Sequence, residues 1–143
     1  MDEKVTDNGY VPIALALVTC DYIHRDNTTG KYTIVGTFNS LISRAYPSVV
    51  ESIAVYSAVT EAIGECEVVI RIVDVNEEKE PIASLKLNLT SGDPREVHEL
   101  GAVFQNVSIP ESGEYRIQFV TNNEVLLERK FLASLAEEEP EGE

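Results

Sequence analysis

Leu85-Lys86-Leu87-Asn88-Leu89-Thr90 alternates apolar and polar side chains without a break. A period of two places three leucines on one face of a strand and three polar groups on the other, so the segment reads as a half-buried β-strand. The same reading extends outward along the chain. In residues 113–120, Tyr115, Ile117 and Phe119 oppose Glu114, Arg116 and Gln118. In residues 66–75, Val68, Ile70 and Ile72 oppose Glu67 and Arg71. In residues 32–38, Tyr32, Ile34 and Phe38 fall on one face. Residues 11–20 are apolar on both faces, the pattern of a strand covered on both sides. Residues 97–109 and 124–132 read as two further strands, each bent or bulged. The expected core comprises Leu15, Leu17, Ile34, Phe38, Val55, Val68, Ile70, Leu85, Leu87, Tyr115, Ile117 and Phe119.

Turn chemistry separates these segments. Asp26-Asn27-Thr28-Thr29-Gly30 is a polar turn, Ser91-Gly92-Asp93-Pro94 a loop and Pro110-Glu111-Ser112-Gly113 a tight turn. Asn76-Glu77-Glu78-Lys79-Glu80-Pro81 reads as a hairpin tip, and Thr121-Asn122-Asn123 as a short hairpin connection, since Asn tolerates left-handed backbone. Residues 48–57 carry two signals. Ser48-Val49-Val50-Glu51 matches a helix-opening capping box, whereas residues 53–60 are rich in β-branched side chains and include Tyr56. A strand over 52–60 is the expectation, with a helical turn before it as the alternative. Turns about every ten residues, with no sustained helical period, predict an all-β, two-sheet antiparallel β-sandwich of about eight strands, immunoglobulin-like or Greek-key in type. One domain over residues 11–135 is expected, between a flexible N-terminus (1–10) and a disordered acidic tail (136–143).

Two stretches carry a resemblance. Ile109-Pro110-Glu111-Ser112-Gly113-Glu114-Tyr115-Arg116-Ile117-Gln118-Phe119 resembles the penultimate strand of immunoglobulin-like and fibronectin-like sandwiches, with 125–129 as the final strand. The resemblance implies a tyrosine corner at Tyr115. Cys20-Asp21-Tyr22, the 26–30 turn and Lys31-Tyr32-Thr33-Ile34-Val35-Gly36-Thr37-Phe38 resemble the opening of a small uncharacterised bacterial family of β-sandwich domains of unknown function. Trp is absent, so the antibody-type core of Trp packed on a disulfide is missing. The resemblance implies no activity, because fold alone does not carry one.

The charge balance narrows the partners. Twenty-five acids against eleven bases leave a net charge of −14, with five glutamates at positions 137, 138, 139, 141 and 143. Phosphate backbones are held by Lys and Arg clusters, and none is present, so neither nucleic acid nor anionic membrane is an expected partner. The acidity suits solubility first, and a cation or basic protein second. The apolar run 11–18 is too short to span a bilayer and lacks a basic leader before it, which leads to the expectation of a cytoplasmic protein. Two cysteines, Cys20 and Cys66, do not make a disulfide framework and read as small buried apolar residues, with a bridge between them the minority alternative.

Motifs for catalysis are missing: the chain has no G-x-S-x-G, H-E-x-x-H, C-x-x-C or glycine-rich phosphate loop. His24 shares alternating positions with Cys20 and Tyr22, but residues four apart on an extended strand are separated by about 13 Å, beyond reach of a Cys–His pair. His98 has no identifiable partner and is expected to face solvent. Asp21 and Asp26 flank the first turn, and Asp74, Glu77, Glu78 and Glu80 cluster at the 76–81 tip. Calcium needs several oxygens converging from more than one loop, and Lys79 within the cluster opposes a cation. No catalytic, cofactor-binding or metal-ligating residue is therefore assigned, and no cofactor is expected. The function expected first is a non-catalytic protein-interaction module, binding an unknown protein or itself. A calcium-binding module using the acidic end loops is the alternative, and an enzyme the third reading.

Overall fold

The computed structural model describes residues 11–75 and 80–137. Among these, nine strands form a two-sheet β-sandwich: β1 (Ile13–Arg25), β2 (Tyr32–Thr37), β3 (Ser40–Ser43), β4 (Ser48–Thr60), β5 (Gly64–Asp74), β6 (Ala83–Ser91), β7 (His98–Ile109), β8 (Gly113–Thr121) and β9 (Glu124–Leu135). The first sheet runs β2-β1-β4-β7 and the second β3-β9-β8-β5-β6. The pairings are antiparallel except that of β3 with β9, which is parallel, from Ser40↔Leu132 to Ser43↔Leu135. That parallel pair departs from the all-antiparallel expectation. Four residues are too few to display a period, and the pairing depends on a partner some ninety positions away.

Residues 48–57 are strand throughout. β4 runs beside β7 from Ser48↔Ile109 to Val59↔His98, and the β-branched side chains override the capping-box signal. Instead of capping a helix, the Ser48 hydroxyl accepts a 2.8 Å hydrogen bond from Ser43. β7 is bent, as its broken alternation predicts. Asn106 has φ +55°, and Phe104 and Val107 on either side of it both face the core.

The core lies between the sheets around Ile53, Val55, Ile70, Ile72, Ile117 and Phe119, all essentially inaccessible. Tyr115 is fully buried and stacks on Phe131 with ring centroids 5.5 Å apart. Its hydroxyl donates to the Glu111 carbonyl at 2.6 Å, the tyrosine corner that the 109–119 stretch implies. Asn122 and Asn123 take φ of 54° and 61°, the left-handed pair that a two-residue hairpin needs.

Of the expected core, Leu15 and Ile34 lie elsewhere, while Phe38, Leu85 and Leu87 pack against its margin. Leu15 is 52% exposed, because a register shift between Ala14 and Ala16 turns it outward. Leu85 and Leu87 are half-buried, since among the described residues β6 is an edge strand that pairs only with β5. Phe38 is half-buried and meets Phe131 edge-on at 6.2 Å. Ile34 is half-buried in a hairpin that leaves its sheet. The reading of 11–20 as covered on both sides holds for Leu17, Thr19 and Cys20 but not for Val11, Ile13 or Leu15.

Candidate functional site

β1 changes partner half-way along. From Ile13 to Cys20 it pairs with β4, and from Cys20 to Arg25 with β2. Past Cys20 the β1–β2 hairpin leaves the sheet and folds across its outer face. Tyr32 packs edge-on to Tyr56 of β4 with centroids 5.6 Å apart. A Cβ placed on Gly101 of β7 would lie 3.2 Å from Tyr32 Cε1 and 3.8 Å from Ile23, although β7 is two strands away from β1. In the hairpin Ile23, Tyr32 and Ile34 are half-buried, while Tyr22, His24, Thr33 and Val35 face solvent. The hairpin is therefore a flap over the first sheet. Beneath it sits a second buried layer of small residues, Cys20, Ala54 and Ala58, outside the main core. Gly36, with φ +74°, lets the flap turn at its base, where an added Cβ would stand 2.5 Å from Asp21 Oδ2.

Tyr56 fastens the flap. Its hydroxyl donates to Glu99 Oε2 on β7, its ring carries Tyr32, and the Arg25 guanidinium lies 5.8 Å over the Tyr32 ring. Burial, followed by the Glu99 hydrogen bond and charge, pushes the Tyr56 phenol up to about 12. The folded state thus favours the protonated phenol over an unfolded chain titrating near 10. The resulting stabilisation is complete below that unfolded value and is lost as pH rises through the folded one. Melting temperatures taken from roughly pH 9 to 12 are expected to fall more steeply for the wild type than for Tyr56→Phe. Equal slopes would remove Tyr56 as a latch.

The partner switch also leaves a gap. Had β1 continued straight, residues 21–26 would lie beside residues 48–53 of β4. Among the described residues that edge of β4 has no strand partner, while its other edge pairs with β7. The free edge of β3 lies along the same gap. Between the two is a cavity of about 230 Å³ lined by Leu41, Ile42, Tyr46, Val49, Val50 and Ile109, among others. Ile42 and Val49 on its rim are the most exposed large apolar side chains described, at 69% and 65%. Tyr46 holds the far wall by donating to the Ser134 carbonyl at 2.8 Å.

The residues singled out in the sequence are not brought together. Cys20 is fully buried under the flap, its thiol pushed up by burial, and donates weakly to the Ala54 carbonyl at 3.5 Å. His24 is exposed on the flap's outer side. Cys66 belongs to the other sheet, beside the Thr121 hydroxyl at 3.2 Å, and both thiols are free. Asp26 organises its own turn: it accepts from the amides of Thr29 at 2.6 Å and Thr28 at 3.1 Å, and these bonds hold its carboxyl below the ordinary range. His98 is a correction. It is half-buried, not solvent-facing, with Nε2 3.6 Å from Glu96 Oε1, because its register opposite Val59 turns it toward the sandwich interior. Of the acidic tip, residues 76–79 lie outside the described residues, as do residues 1–10 and 138–143 of the expected termini. Among the described residues no group of three or more His, Cys, Asp or Glu side chains gathers in metal-binding range. Among the described residues no helix is long and apolar enough to cross a membrane.

A family model matches residues 15–134, nearly the whole sandwich; it describes a family of unknown function, DUF6941. The chain belongs to DUF6941. No curated protein matches the DUF6941 chain in sequence. Among solved structures, the chain is similar to a β-glucosidase from Listeria innocua in complex with isofagomine (TM-score 0.46, 15% identity, 86% of this chain and 16% of that one). It is also similar to a β-glucosidase from Kluyveromyces marxianus (TM-score 0.42, 14% identity, 68% of this chain and 15% of that one). The DUF6941 chain thus spans about a sixth of those proteins, and likeness at this level carries no functional argument.

Proposed function

We propose that this DUF6941 domain is a non-catalytic protein-interaction module that engages a protein partner along its open strand edges. One observation carries the reading: two strand edges that have no partner among the described residues, β3 and residues 48–53 of β4, border one apolar-lined groove whose rim exposes Ile42 and Val49. An unpaired edge presents backbone donors and acceptors ready for another chain, and apolar pockets beside it select side chains. The test is affinity capture from a lysate with immobilised domain, at low and high salt, followed by mass spectrometry. A stoichiometric partner is expected at one salt or both, and its loss at high salt marks the acidic surface as part of the contact. Absence of any partner at either salt, together with a monomer by ultracentrifugation, would sink the reading.

A further inference from the structure

Resting on that reading, we infer that the place beside β4 that no described strand fills receives an extended, lysine- or arginine-bearing peptide segment, which adds as a strand antiparallel to residues 48–53. β1 pairs antiparallel with β4 in an unbroken register from Ala16↔Ala58 to Cys20↔Ala54 and then departs into the flap. An incoming strand that continues the line of β1 meets alternate N–H and C=O groups of residues 48–53. Its alternate side chains point into the cavity against Leu41, Val50 and Ile109, which suits a β-branched or leucine side chain.

Charge selects the flanks. Glu51 on the open segment and Glu111 in the turn after β7 are exposed. The Ala136 N–H donates to the Ser43 carbonyl at 2.8 Å, so the chain leaves β9 beside the end of β3, and exposed Glu137 follows. The chain carries a net charge of −14, against which Arg44 in the β3–β4 turn and Arg129, which donates to Asn39 just before β3, supply positive charge. A second copy of this chain would bring the same negative charge to the groove, so a basic segment is the complementary occupant.

The test uses the full chain and a synthetic acetylated peptide, Lys-Val-Lys-Ile-Lys-Val-amide, with a control in which glutamate replaces each lysine. Amide hydrogen exchange is expected to slow about tenfold or more at alternate residues within 48–53 when the lysine peptide binds. The glutamate peptide should give no protection, and added salt should weaken the effect. Val49→Lys and Ile42→Lys alter exposed positions, so they should fold normally and reduce affinity by about tenfold or more. Four results would overturn the inference: no binding at millimolar peptide, binding without protection of the amides of 48–53 that face away from β7, equal binding of both peptides, or protection of those same amides in the free chain. A captured partner that Val49→Lys retains overturns this site and leaves the interaction reading standing. Absence of any captured partner for the wild type at either salt, together with a monomer by ultracentrifugation, overturns the interaction reading itself.

Discussion

Phe131→Ala is expected to cost about 3–5 kcal/mol of stability and to lower the melting temperature by roughly 10 °C. Phe131 is fully buried on β9, stacked on Tyr115 of β8 and met edge-on by Phe38, the residue that follows β2. Three separate parts of the chain therefore converge on one ring. Truncation removes the transfer free energy of the side chain and leaves a cavity that the rigid β8–β9 pairing at Tyr115↔Phe131 cannot close. It also removes two aromatic contacts, each contributing about 0.5–1.5 kcal/mol beyond area burial. Phe131→Leu should recover most of the volume and lose mainly those contacts. Urea titrations of the three proteins decide the matter. A loss below about 1 kcal/mol for the alanine variant would mean that the site can collapse, and that the tyrosine corner, not Phe131, holds this end of the sandwich.

The inner faces of β5, β6 and β8 are legible because Val68, Ile70, Ile72, Leu89, Tyr115, Ile117 and Phe119 recur at every second position, most of them between less buried polar neighbours such as Glu67, Arg71, Asn88, Arg116 and Gln118. Leu85 and Leu87 obey the same alternation yet are only half-buried, since period reports which face a side chain takes and not how far from the sheet edge it lies. The apolar run 11–20 pointed to cover on both sides of β1. At Leu17 and Cys20 that is true, but the two covers differ: the other sheet on one face, the chain's own hairpin on the other. Nothing local records the second cover. Tyr32 against Tyr56 and Ile23 against Gly101 are contacts between residues distant in sequence, and each segment by itself reads as an ordinary strand. The open edge of β4 was hidden for the same reason, because it exists only where β1 exchanges one neighbour for another at Cys20. Cys20, His24 and the acidic turns carry the chemically distinctive side chains, whereas the groove is bounded by backbone and by Ile42, Val49 and Val50, which carry no chemical signature. An interaction site made of main-chain edges has no residue pattern of its own.

Gly101→Leu is expected to lift the flap and raise the reactivity of the Cys20 thiol toward a disulfide reagent by about tenfold or more, through local opening. Gly101 lies on β7, whose backbone is fixed by its long pairing with β4, so a larger side chain there must be accommodated by what rests on it. What rests on it is Tyr32 and Ile23, at 3.2 and 3.8 Å from the position of the first added carbon. Cys20 lies at the flap's base, and burial both shields its sulfur and raises its pKa, so either opening or rehydration should increase the reactive thiolate. The measurement is made with Cys66→Ser present, so that only Cys20 reports. Gly101→Ala adds one methyl, which Tyr32 can accommodate by a shift of a few tenths of an ångström, and its rate should stay near that of wild type. Overpacking of this kind costs about 1–3 kcal/mol, less than the loss expected for Phe131→Ala. That ordering separates the two routes to the thiol. If Cys20 were reached only through global unfolding, Phe131→Ala, the less stable protein, would react faster. If the flap opens by itself, Gly101→Leu reacts faster despite being the more stable of the two, and its rate should be nearly independent of low urea, because a hairpin that lifts exposes far less surface than a sandwich that unfolds.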